Sequence, residues 1–144
     1  MEIYTGIGDL PHFNPDLDND NPPVSIKAFR ETLQKADGFI ICTPEYAHGV
    51  PGSLKNAIDW TVSSSNFNQR PVLLITASTD GRWGHQALLE TLKVIEAKNI
   101  EELQLLIQFV KTKINNDGVI TNEETLKDIK TVMNKLLAES KATE

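Results

Sequence analysis

The chain has 144 residues, 40% of them apolar, and one cysteine, so it can bury a real core but cannot form an internal disulfide. Its formal net charge of −6, with 14 basic against 20 acidic residues and no cluster of Lys and Arg, argues against binding nucleic acid, whose phosphates call for basic patches. No apolar run reaches the length of a membrane-spanning helix and no basic-then-apolar leader opens the sequence, so a reducing cytoplasm is the expected setting.

In chain order, Ile3 and Tyr4 read as the end of a strand, and residues 6–23 as a loop rich in Gly, Pro, Asn and Asp. Residues 24–35 are predicted to form a helix with Ile26, Phe29, Leu33 and Ala36 on its inner face. The apolar run 39–43 is a predicted buried parallel strand, with Cys42 as a buried small hydrophobe rather than a reactive thiol. A Pro- and Gly-punctuated loop follows, then a helix over about 52–62 that starts near Pro51 and repeats Leu54, Ile58 and Val62. Residues 63–70 are polar and predicted to be a flexible surface loop.

The run 72–77 is a second buried strand, 84–97 a helix with Leu88, Leu92 and Ile95 inward, 103–107 a third strand and 123–137 a terminal amphipathic helix. Strands alternating with helices define an α/β class with a parallel sheet, and 144 residues fit a single domain. The expected core is Ile40, Ile41, Leu54, Ile58, Leu73, Ile75, Leu88, Leu105 and Ile107.

Ligands of open α/β sheets sit beyond the carboxyl ends of strands, so the loops after the first two clear strands are the candidate site. In the first, Pro44, Glu45, Tyr46, Ala47 and His48 stand together. Pro44 stiffens the loop, Tyr46 offers a flat apolar face, and the amides of Glu45, Tyr46 and Ala47 are potential donors; Glu45 is read as a loop-orienting group. In the second, Ser78, Asp80, Gly81, Arg82 and Trp83 stand together. Here Gly81 and Gly84 allow close backbone approach, while Arg82 and Trp83 could flank a ring or a phosphate; a plain strand-to-helix turn is an equal alternative. Leu54, Ile58 and Trp60 read as packing residues, Asn56 and Asp59 as hydrogen-bonding to loops.

The alternating Asp16, Asp18 and Asp20 lack the Gly and Glu of a calcium loop, and His12, His48 and His85 have no metal-ligand spacing, so no metal site is expected. No nucleophile elbow is present and no side chain is assigned as catalytic.

The run from Thr43 through Pro44-Glu45-Tyr46-Ala47 and Pro51-Gly52-Ser53-Leu54-Lys55-Asn56-Ala57-Ile58-Asp59-Trp60 closely resembles the flavin-site signature of the NADPH-dependent FMN reductase family. Ala47 stands where that family usually has Asn. A weaker resemblance covers nearly the whole chain, including Gly6-Ile7-Gly8-Asp9-Leu10-Pro11 and Ser78-Thr79-Asp80-Gly81-Arg82-Trp83-Gly84. It implies a flavodoxin-like doubly wound parallel sheet, FMN held noncovalently by the ten residues named in the two loops, NAD(P)H as electron donor, a quinone or similar small acceptor, and a homodimer or higher homo-oligomer.

The resemblance also implies a further strand, a Ser-, Arg- and Asn-rich phosphate loop and a helix ahead of the matched region. Nothing in this chain fits them, so the sheet is expected to be incomplete at its N-terminus, with the strand at 39–43 left as an edge. A non-catalytic truncated family fragment, or an interaction subunit that binds FMN weakly or not at all, is therefore the alternative to an FMN-dependent reductase.

Overall fold

The computed structural model describes residues 1–141. Three strands, β1 (Phe39–Thr43), β2 (Val72–Ala77) and β3 (Gln104–Ile107), form one parallel sheet in the order β1-β2-β3. Four α-helices alternate with them: α1 (Val24–Gln34), α2 (Gly52–Asp59), α3 (Arg82–Val94) and α4 (Glu123–Lys141). The expected α/β class with a parallel sheet is what the chain adopts. By contacts it divides into two compact units, residues 1–36 with 51–66, and residues 37–50 with 67 onward.

The second unit holds the whole sheet. Successive strand residues point to opposite faces, so the register assigns a layer to each face. His85 of α3 hydrogen-bonds Thr76 and Gln104 at 2.8 and 2.9 Å, which sets α3 over the face of Val72, Leu74 and Thr76. Leu73 and Ile75 point the other way and pack with Leu103, Ile107, Val132 and Leu136, so α4 covers that face over β2 and β3.

In β1, Ile40 pairs with Leu73 and Cys42 with Ile75, which places both on the α4 face. That face is uncovered at β1, because α4 lies over β2 and β3. Ile40 is 37% exposed and Cys42 is also exposed, correcting the expected burial of both. The strand packed beside Cys42 still removes enough water to push its thiol pKa up. Leu54 and Leu105 are only partly buried, whereas Ile41, Ile58, Leu73, Ile75, Leu88 and Ile107 are buried as expected.

The first unit has its own cluster: Leu10, Ile26, Phe29, Ala57 and Trp60, with Tyr4, Ile7 and Leu33 against it. No strand forms at Ile3 and Tyr4. Ile3 is exposed, and the Tyr4 ring stacks at 5.0 Å on Phe29 of α1, so it belongs to a helix contact rather than a sheet. Trp60 is fully buried and its indole N–H donates to the Pro11 carbonyl at 2.8 Å. Asn56 bonds the same loop at Phe13 and Pro11, as expected, but Asp59 pairs with Lys55 one turn back in α2. The segment 63–70 is not a loose loop: Asn66 is buried, and Phe67 is buried edge-on against Phe39 at 4.7 Å.

Asp18 accepts from Arg30 at 2.7 Å and from Ser63 at 2.8 Å. Burial alone would push its pKa up, but these two hydrogen bonds and the Arg30 charge outweigh it and hold the carboxyl below the usual value of 3.8. A carboxylate with a lowered folded-state pKa stabilises the fold at higher pH and loses that contribution as pH falls through the folded pKa. Asp18→Asn should therefore unfold at lower urea than the parent at pH 5–7, and the gap should close as pH drops below 3.8. A gap of constant size down to pH 2 would show that the Asp18 charge contributes nothing.

Candidate functional site

The candidate loops both leave carboxyl ends of adjacent strands, β1 and β2, as the topology requires. The loop after β1 is a tight hairpin. Tyr46 and Gly49 exchange both backbone hydrogen bonds, N–H to carbonyl at 3.1 and 2.8 Å. The two residues between them, Ala47 and His48, have φ of 50° and 59°. Two consecutive left-handed residues are the mark of a type I′ turn, which favours Asn and Gly. Ala47 has no side-chain oxygen to ease that conformation, whose cost for an L-residue is about 1–2 kcal/mol.

The loop after β2 turns at Gly81, with φ 85°, directly into α3. A Cβ there would press on Leu106, Ser78 and Thr76, so glycine is needed for conformation and for space. Helix α3 begins two residues earlier than the periodicity suggested, and Arg82 and Trp83 form its first turn.

One side chain joins the loops. A Glu45 carboxylate oxygen accepts the Gly84 N–H at 2.7 Å, satisfying a first-turn amide of α3 that has no partner within the helix. The Glu45 amide donates to Ser78 Oγ at 3.4 Å. Gly84 lies so close to the hairpin that a Cβ on it would collide with the Gly49 carbonyl. The reading of Glu45 as a loop-orienting group matches this geometry.

Two of the three amides first considered as donors, those of Glu45 and Tyr46, are thus occupied within the protein. The Ala47 N–H has no hydrogen bond among the described residues and remains free, with the first-turn amides of α3 nearby. Above them stand exposed rings: Tyr46 is 63% and Trp83 59% exposed, and His48 lies 5.8 Å from Trp83. Pro44, between the strand and the hairpin, carries no side-chain donor.

Asp80 and Arg82 do not face a ligand independently. Arg82 grips Asp80 in a two-point pair at 2.7 and 3.0 Å, and Gln108 donates to the same carboxylate at 3.0 Å. Hydrogen bonding from Arg82, with its charge and Gln108, holds the Asp80 carboxyl below its usual range; the same pair raises Arg82. Gln108 brings in a third loop, which the sequence reading missed. Phe109, 61% exposed with φ 52°, is anchored there by its N–H to the Thr79 carbonyl at 3.0 Å. The rule that carboxyl-end loops gather a site would have found it, since residues 108–110 follow β3.

His85, placed near this turn by its number, is buried in the structural bonds to Thr76 and Gln104 and takes no part in the surface. A shallow hollow of about 340 Å³ lined by Lys93, Asn99 and Glu101 lies at the opposite, amino end of β3, where Lys93 is already paired to Glu90 and Glu101. Among the described residues no cluster suited to a metal ion exists.

The hairpin, the glycine turn and the helix start gather at the carboxyl ends of adjacent parallel strands, where open α/β sheets bind their ligands. The family pattern for NADPH-dependent FMN reductase matches residues 2–112, and the chain belongs to that family. A 2-hydroxy-1,4-benzoquinone reductase of a Burkholderia species is 32% identical over 142 residues, 94% of this chain and 76% of that protein. The quinone reductase of Escherichia coli K12 is 30% identical over 88% of this chain and 72% of its own length. Among solved structures, FerB, a flavoenzyme NAD(P)H:(acceptor) oxidoreductase from Paracoccus denitrificans, superposes with a TM-score of 0.74 at 26% identity, covering 94% of this chain and 78% of that one. The flavodoxin-like class and the expected cofactors, FMN and NAD(P)H, stand with these findings.

The Gly84 contact has a sign that helix propensity alone would get wrong. Gly to Ala inside a helix ordinarily gains about 1 kcal/mol. Gly84→Ala should instead lower the denaturation midpoint, because its methyl group displaces the hairpin. A raised midpoint would show that the hairpin does not rest on α3.

Proposed function

We propose that the chain acts as an NAD(P)H-dependent reductase that works through FMN on a quinone or similar small acceptor. The observation that carries this reading is the pair of loops clamped by Glu45 and Gly84, which together hold exposed rings and the free Ala47 amide at one sheet edge. The relatives named as quinone reductases support the acceptor class. Tyr46 and Trp83 would lie against the flavin ring, and the Ala47 amide would donate to its polar edge. Pro44 and His48 border the hairpin side, Ser78 and Gly81 the turn side. When bound, FMN supplies the chemistry by accepting a hydride from NAD(P)H and passing electrons to the acceptor. The protein's own residues position and shield, and none of them needs to move a proton.

The same reading takes residues 1–144 as a single flavodoxin-like domain, working as a homodimer or higher homo-oligomer in the cytoplasm. Among the described residues no helix is long and apolar enough to cross a membrane.

A second reading is favoured by one specific observation. Arg82 is the lone Lys or Arg in the two loops, residues 44–49 and 78–83, and its guanidinium is committed to Asp80. A flavin phosphate carries about two negative charges at neutral pH, so ring contacts alone would hold FMN here. On that reading the chain is a non-catalytic fragment or an interaction subunit that binds FMN weakly or not at all.

Flavin fluorescence quenching tests both. The reductase reading predicts saturable flavin binding that Tyr46→Asp weakens at least tenfold with no change in thermal midpoint, and FMN and riboflavin affinities within about tenfold of each other. Equal affinity in parent and Tyr46→Asp would contradict the ring placement. No saturable binding of either flavin would support the second reading.

A further inference from the structure

The charges of the candidate site are few, and they are already matched to one another. The loops at residues 44–49 and 78–83 carry Glu45, Asp80 and Arg82 as their only Asp, Glu, Lys or Arg, and residues 108–110 add none. Arg82 is the sole cation of the three. It opens α3, next in sequence to Trp83, and its side chain is 68% exposed. An exposed guanidinium at a helix start is the group that would ordinarily draw an anion to such a place.

Both the guanidinium and the helix start are occupied from within. Asp80 takes the guanidinium in two bonds, from Nε at 2.7 Å and from Nη2 at 3.0 Å, one to each carboxylate oxygen. Gln108 Nε2 donates to Asp80 Oδ1 at 3.0 Å, so the carboxylate is held in that position from the loop after β3. The Glu45 carboxylate takes the Gly84 N–H at 2.7 Å, and it lies near enough to favour the charged form of Arg82. An exposed ion pair such as Arg82 with Asp80 adds little to stability, so its effect falls on whatever approaches the surface. With His48 neutral, two carboxylates and one guanidinium leave these loops with one net negative charge.

We propose that Asp80 is a specificity-determining residue: by holding Arg82 it makes the site select uncharged ring acceptors and reject those that carry an anionic group beside the ring. This charge class rests on the reductase reading and narrows its acceptor. An uncharged quinone meets the exposed rings and the free Ala47 amide, and displaces no ion pair on binding. An anionic acceptor meets Asp80 and Glu45 and finds Arg82 already engaged. To be held it must displace a two-point carboxylate that Gln108 retains, exchanging one ion pair for another and leaving Asp80 without its cation.

Asparagine at position 80 reverses the filter. It keeps the size of the side chain and one oxygen acceptor, removes the negative charge and releases the guanidinium. A unit charge within about 6 Å of a ligand anion, with screening between that of water and that of protein, changes its affinity roughly fivefold. The change fades toward 1 M salt, where the screening length falls to about 3 Å. Glu45 is the poorer lever, because its carboxylate also clamps the hairpin to α3.

The test compares 9,10-anthraquinone-2-carboxylate with the 2-carboxamide, which has the same shape and no charge, at low salt and pH 7. Binding is read by quenching of the exposed Trp83 against the buried Trp60, so no turnover is required. The parent should prefer the carboxamide, and Asp80→Asn should shift the ratio of the two affinities about fivefold or more toward the carboxylate. Asp80→Glu should keep the parent's ratio, and Arg82→Gln added to Asp80→Asn should abolish the shift. Iodide quenching of Trp83, taken relative to acrylamide, should rise at least twofold in Asp80→Asn and needs no bound ring. Equal ratios in parent and Asp80→Asn, a shift that survives Arg82→Gln, or no saturable binding of either ring would overturn the proposal. A flavin-loaded chain that reduces neither compound while the charge selection holds would sink the reductase reading and uphold the filter.

Discussion

A single carboxylate ties the chemistry of the chain to its scaffold. Glu45 comes from the loop after β1, and the amide it satisfies belongs to the first turn of α3, which follows β2. Helix starts carry unsatisfied N–H groups and partial positive charge, so a buried-side carboxylate placed there is favourable twice over. The bond fixes the hairpin of residues 46–49 against a helix that is itself locked to the sheet through His85, Thr76 and Gln104. Gly84 then matters because it lets the helix backbone approach that of the hairpin, and Gly81 because its left-handed turn under the Leu106, Ser78 and Thr76 side chains has no room for a Cβ. The strained conformations of Ala47 and His48 persist because their turn is closed by two backbone bonds and clamped from outside.

The junction also explains why charge at the site is self-contained. Arg82 and Asp80 satisfy one another, and Gln108 completes the carboxylate's bonding. What remains free is apolar surface and backbone amide, a combination suited to a flat heteroaromatic ring with a polar rim. The neighbouring edge of β1 shares that character, apolar side chains beside outward backbone groups, but along a strand rather than a loop.

Much of this was legible in the sequence. The runs 39–43 and 72–77 are apolar, short and bounded by turn residues, and both strands form over those residues. The signature loop and its Glu45 were legible because residue types and spacing were distinctive. Misreadings came where a residue's fate depends on what packs beside it. Ile40 and Cys42 are as apolar as Ile41, but alternation assigns them to the α4 face, and α4 lies over β2 and β3 rather than β1. Tyr4 has strand-like neighbours yet is claimed by Phe29, and the polar stretch around Asn66 and Phe67 hides two buried side chains. The start of α3 is hidden because Gly81 and Gly84 look like one turn; of the two only Gly81 has a positive φ, and Gly84 is a helical residue whose missing Cβ makes room for the Gly49 carbonyl. The pairing of Asp80 with Arg82 and Gln108 is a matter of three-dimensional proximity, and no spacing rule announces it.

The central claim is that the Glu45 carboxylate holds the hairpin to α3, and backbone hydrogen exchange of Glu45→Ala tests it most directly. The account predicts faster exchange at the amides of Gly49 and Gly84, with the amides of β2 unchanged, since the sheet does not rely on this bond. Unchanged protection at Gly49 and Gly84 would contradict it, because the hairpin would then be held by something other than that carboxylate.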